Sequence, residues 1–150
     1  MTQIEGSYPA KAAREALWDV LSDPERLGAA LPGVGPVELD GDAGFSTRVR
    51  PSTNVGVTPL DLEVSIVDRD EGRAVRLKGD GAGGEHRVAF EVTLRLSEQD
   101  GGTRIDWDAE VQAFGGLASL SQRVLPALLR DQIAIALGEA ERQALAGAAA

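Results

Sequence analysis

Cysteine is absent from this chain, and its absence excludes disulfides, thiol nucleophiles and thiolate metal sites together. Histidine occurs once, as His86 beside Glu85, so no site built on several histidines can form. A surface or strand-end place is expected for it. No run of about 20 apolar residues is present, and no positively charged, apolar leader opens the chain, which together point to a soluble cytoplasmic protein. Positive charge is scarce, with 15 Lys and Arg against 24 Asp and Glu, a formal net charge of −9. That balance repels phosphates and so argues against nucleic acid and anionic lipid headgroups as partners, while favouring solubility. The run Gly79-Asp80-Gly81-Ala82-Gly83-Gly84 lacks the Lys-Ser/Thr and the following helix of a phosphate loop. It reads as a mobile hairpin at the rim of the fold, placed to act as a gate.

What the chain does have is alternation. Thr103, Ile105, Trp107, Ala109, Val111 and Ala113 interleave with Arg104, Asp106, Asp108, Glu110 and Gln112. Val88, Phe90, Val92, Leu94 and Leu96 interleave in the same way with Arg87, Ala89, Glu91, Thr93 and Arg95. A period of two with one apolar set means a strand with one face in a core and one in water. Asp100-Gly101-Gly102 supplies the turn between them. Leu60 to Asp70 alternates likewise, and shorter strands are expected at 3–8, 37–39, 45–50 and 74–79, with turns at 41–44 and 70–72.

Helical spacing occupies the rest. Residues 12–21 place Leu17, Val20 and Leu21 on one side with Ala13, beside Trp18. Asp23 is a candidate N-cap for a second short helix with Pro24 at its first position. From Leu117 to Ala146 a long helix is expected, with Leu117, Leu120, Val124 and Leu128 on one stripe, Leu125 and Leu129 flanking it, and Arg123, Arg130 and Glu141 opposite. Pro126 removes a bond to Gln122 and should kink or split that helix. The order is β, α, α, about six antiparallel strands and a long helix, an α+β single domain over residues 1–146 with a frayed end at 147–150.

The chemistry follows from the inward set. Phe45, Thr47, Val49, Leu60, Leu62, Val64, Ile66, Val75 and Leu77, with the inward residues of the last two strands, offer only Thr47 and Thr103 as polar groups. No carboxylate, lysine or histidine points inward on this register, and general acid–base catalysis needs one within reach of its substrate. Asp106, Asp108 and Glu110 form a carboxylate row, but on the outward face, where Arg95 and Arg104 can pair with them. The expectation is therefore a non-enzymatic protein holding an apolar ligand, a lipid, isoprenoid or quinone such as menaquinone, between sheet and helix. Leu31, Phe45, Leu62, Val64, Phe90, Trp107, Leu117, Leu120 and Val124 are its candidate wall, with no metal and no other cofactor. Two rivals stand beside this reading. One is a polyketide cyclase or dehydrase-like enzyme, which would need Arg48, His86 or Asp131 to reach the cavity; the other is a protein-interaction module with a filled core.

Several short segments together carry a resemblance. They are Ile4-Glu5-Gly6 with Arg14-Glu15-Ala16-Leu17-Trp18, Asp23-Pro24-Glu25-Arg26-Leu27 leading to Leu31-Pro32-Gly33, Gly101 to Ile105, and Gly116 to Leu120. With these the chain resembles the carbon monoxide dehydrogenase CoxG family of the START-like helix-grip superfamily, also labelled SRPBCC. The resemblance implies a helix-grip fold, a seven-stranded curved antiparallel sheet wrapped around a long C-terminal helix, enclosing a hydrophobic cavity. It also implies an accessory role for a molybdenum-containing carbon monoxide dehydrogenase or related hydroxylase, with quinone binding and recruitment to the membrane. Val34 stands where the family commonly has cysteine, and the chain stops soon after its last helix. The second departure argues against membrane anchoring and leaves cavity binding in place.

Overall fold

The computed structural model describes residues 2–31, 37–41, 43–49, 60–84, 86–114 and 124–148. The chain opens with strand β1 (Thr2–Ala10), followed by helices α1 (Arg14–Leu21) and α2 (Pro24–Ala30). Six strands come next: β2 (Glu38–Asp40), β3 (Gly44–Val49), β4 (Leu60–Asp70), β5 (Ala74–Gly83), β6 (His86–Gln99) and β7 (Gly102–Phe114). Helix α3 (Val124–Ala148) closes the fold. The strands form one antiparallel sheet in the order β1-β7-β6-β5-β4-β3-β2, so only β1 leaves chain order, to pair with β7.

Local chemistry explains most boundaries. Asp23 Oδ1 accepts the Glu25 amide at 3.0 Å and Pro24 takes the first helical position, which starts α2 where the sequence indicates. Asp100 (φ 43°) and Gly101 (φ 81°) form the two-residue turn between Gln99 and Gly102, both in the left-handed region that an antiparallel hairpin of native twist needs. In β4 the register shifts between Ile66 and Asp68, a bulge that leaves Val67 exposed.

The inner face of the sheet carries the apolar set, and Thr47 and Thr103 are the only fully buried polar residues among those described. Thr103 Oγ1 donates to the Ala12 carbonyl at 2.8 Å, so its burial leaves nothing unpaired. Leu17, Val20 and Leu21 of α1 are fully buried, as are Leu137, Ala140 and Ala144 of α3. The alanines let α3 pack close to α1 and α2. A second tie lies alongside. Tyr8 Oη donates to Glu141 Oε1 at 3.0 Å, and the Lys11 amide donates to Glu141 Oε2.

Two expectations change here. The glycine-rich run is not a rim hairpin, because Gly79 to Gly83 continue β5, paired residue by residue with β6. Glu141 does not stand opposite the core, since it follows Leu137 by one helical turn and so faces Tyr8 on β1. The described part of α3 runs through Pro126 without interruption, and the partner that Pro126 forgoes, Gln122, lies outside the described residues.

Candidate functional site

Strand register orders the inner face into rows that run across the sheet. Near the α1 end, Val75, Leu94 and Trp107 form one row, continued by Gly6 of β1. A middle row holds Ile66, Leu77, Val92, Ala109 and Ile4. The next reads Phe45, Val64, Gly79, Phe90 and Val111, and above it stand Thr47, Leu62, Gly81, Val88 and Ala113. Gly83 and His86 begin the last row. Along β5 the inner positions are therefore Val75, Leu77, Gly79, Gly81 and Gly83: the half of the strand away from α1 has no inner side chains.

The largest aromatics lie down onto such glycines. A Cβ on Gly79 would stand 2.3 Å from Phe90 Cζ, so the Phe90 ring rests flat across its cross-strand partner. Trp107 does the same over Gly6, where a Cβ would meet Trp107 Cζ2 at 2.6 Å. A phenylalanine upright on a sheet would reach well into the space of about 10 Å that separates packed layers. Lying flat, it leaves that space open. Phe90, Val92 and Ala113 on the sheet, and Leu129 and Ile133 on α3, are accordingly only partly buried although they belong to the inner surface.

The candidate wall residues divide. Leu62 and Val64 are buried on β4, in the rows that hold Gly81 and Gly79, and Phe90 is half-buried beside them. Leu31 ends α2 and is half-buried against the core. Phe45 is 1% exposed and packs on Gly28 of α2, where a Cβ would lie 3.0 Å from its ring, so it is sealed core. Trp107 is also buried, at the Gly6 end. Leu117 and Leu120 lie outside the described residues, and Val124 is described only as the first residue of α3.

Polar groups near this surface are few. Arg48 is exposed and pairs with Asp61 at 2.9 Å on the outer face, and Asp131 is exposed on α3. His86 corrects the expectation that no histidine points inward. Two residues before Val88, it shares the inner parity of Val88 and Phe90, and its Nδ1 is shielded from water with no hydrogen-bond partner among the described residues. Gln132 Nε2 is the other buried polar atom without a partner among them. Eleven residues before Gln143, it lies on the same flank of α3, the one whose Gln143 amide reaches the Arg26 carbonyl of α2 at 3.2 Å. Sequence parity could have found His86, because the alternation of β6 extends back to it once the strand is begun two residues earlier.

The remaining titratable groups make no site inside. Burial, then the hydrogen bond from Tyr8 to Glu141 and the carboxylate charge, raise the Tyr8 phenol above its ordinary range. Outside, Asp108 pairs with Arg95 at 2.7 Å and Asp106 with Arg104 at 2.9 Å, as the sequence pattern indicates. Among the described residues no group of three or more His, Cys, Asp or Glu is placed to hold a metal ion. No described helix is long and apolar enough to cross a membrane. Two open clefts, of about 510 and 530 Å³, lie elsewhere: one where Arg130 faces β1, the other outside near Arg14, Arg73 and Arg95.

A seven-stranded antiparallel sheet closed by a long C-terminal helix, with two short helices after the first strand, defines the helix-grip fold of START-like proteins. The chain belongs to the carbon monoxide dehydrogenase CoxG family, whose model it matches over residues 6–142. Among solved structures it is similar to a conserved protein from Geobacillus kaustophilus, with 20% identity, TM-score 0.85, and 96% and 95% of the two chains covered. A START superfamily protein from Mycobacterium smegmatis has 11% identity, TM-score 0.68 and coverage of 95% and 96%. Ginseng major latex-like protein 151 from Panax ginseng has 12% identity, TM-score 0.70 and coverage of 96% and 97%. No curated protein matches the chain.

Proposed function

We propose that the protein binds an apolar molecule, a quinone, isoprenoid or lipid, between the inner face of the sheet and the N-terminal half of α3. It does so without catalysis, in the cytoplasm, as an accessory protein of a molybdenum carbon monoxide dehydrogenase-type hydroxylase. The observation that carries this reading is the partly exposed set Phe90, Val92, Ala113, Leu129 and Ile133 inside a surface otherwise sealed. Flat aromatics over Gly79 and a β5 without inner side chains beyond Leu77 account physically for the space. Membership of the CoxG family supports the hydroxylase partner.

Native mass spectrometry of protein purified from its own host tests the ligand. An apolar molecule retained in stoichiometric amount is the expected result, and reproducibly empty protein would count against it. The cyclase-like reading is favoured by one observation, the inward position of His86. No carboxylate among the described hydrogen-bonding and ion-pair partners orients that imidazole, so we rank it second.

A further inference from the structure

We infer that His86 is the polar anchor of this cavity, and that the bound molecule carries a carbonyl or hydroxyl oxygen at the end lodged beside β5 and β6. The inference rests on the apolar-ligand reading above and goes beyond it by setting the ligand's chemistry and orientation. An imidazole nitrogen withdrawn from water without a partner costs free energy in the empty protein, and an oxygen delivered by a ligand removes that cost. His86 Nδ1 is such an atom. It stands on the inner side at the first position of β6, opposite Gly83, in line with Val88 and Phe90. Gly81 and Gly83 on the neighbouring strand leave no inner side chain between it and the space above Phe90.

The alternatives inside are unsuited to the role. Thr103 is already paired with the Ala12 carbonyl, and both oxygens of Glu141 are taken by Tyr8 and the Lys11 amide. Gln132 lies on the flank of α3 shared with Gln143, toward α2. A wholly apolar guest would leave Nδ1 unpaired, so the site discriminates by hydrogen bonding as well as by shape.

The test compares two probes of one shape, 2-methyl-1,4-naphthoquinone and 2-methylnaphthalene, in equilibrium dialysis with the full chain. The absence of cysteine prevents thiol addition to the quinone. The wild type is expected to prefer the quinone about tenfold, the worth of one buried hydrogen bond. His86→Phe should abolish that preference while still binding both probes. His86→Asn, whose amide nitrogen falls near the Nδ1 position, should retain most of it, which a general base would not allow. Because the chain has one histidine, imidazole ¹⁵N spectra of the wild type report this residue alone and do not depend on how a variant folds. The Nδ1 resonance should move with the quinone and stay with the hydrocarbon. Equal binding of both probes with an unmoved Nδ1 resonance overturns the anchor and leaves the apolar carrier standing. Binding of neither probe overturns both.

Discussion

The two halves of α3 face the same sheet and meet it differently. In the C-terminal half, Leu137, Ala140 and Ala144 are fully buried, α1 and α2 lie close, and Glu141 is held by Tyr8 and the Lys11 amide. In the N-terminal half, Leu129 and Ile133 remain partly exposed above Phe90 and Val92. One half is core, where each side chain fills the space left by others. The other is a surface folded inward, where glycines on β5 and a flattened phenylalanine keep the layers from meeting. Apolarity is common to both, so it is packing and not polarity that separates a core from a binding wall.

The comparison breaks first on stability. Leu17→Ala removes a side chain enclosed by α1 and α3, and should cost about 3 kcal/mol or more in urea unfolding. Val92→Ala, in the same assay, should cost about 1 kcal/mol, because a half-buried residue beside open space loses fewer contacts. Equal costs would mean that the N-terminal half is packed core as well.

Gly79→Ala sharpens the comparison from the other side. Its Cβ would stand 2.3 Å from Phe90 Cζ, so the ring must rise off the sheet into the space beneath α3. A loss of about 1–2 kcal/mol is expected, together with loss of 2-methylnaphthalene binding in equilibrium dialysis. Adding Phe90→Ala to that variant should restore binding, since the displaced ring is then gone. Unaltered binding by Gly79→Ala alone would show that Phe90 does not set the depth of the cavity.

The smallest effect concerns the clamp on the packed half. Tyr8→Phe removes the bond to Glu141 and should cost about 1 kcal/mol at neutral pH. The folded chain holds the Tyr8 proton more tightly than the unfolded chain, because burial and Glu141 both raise the phenol. Its contribution is therefore fully present below the ordinary phenol value of about 10 and is lost as pH rises through the raised one. Urea midpoints of the wild type should fall more steeply above about pH 10 than those of Tyr8→Phe. Parallel pH profiles would remove Tyr8 from the clamp.

Much of this architecture is legible along the chain. The period of two in 60–70, 88–96 and 103–113, the Asp100-Gly101 turn and the Asp23-Pro24 helix start each depend on residues a few positions apart. The inward position of His86 is equally local, but the apolar set of β6 begins only at Val88, so periodicity starts the strand two residues late. Gly79 and Gly81 continue the inner parity of Val75 and Leu77, yet a glycine-rich run also describes a loop. Pairing with β6 decides between the two, and no property of residues 79–84 alone announces it.

The order of side chains along the chain was therefore enough to establish which faces are apolar, where the chain turns, and that titratable groups are scarce inside. These are consequences of side-chain chemistry and of backbone geometry over a few residues. Which apolar residues became core and which a wall was settled at the level of tertiary contacts. That outcome depends on hydrogen-bond register, which lays Phe90 on Gly79 and Trp107 on Gly6, about one hundred residues away. It depends equally on where α3 meets α1, since a helix held close at one end can stand off at the other. Both are contacts between distant segments, and their energies exist only once the sheet and the helices have met.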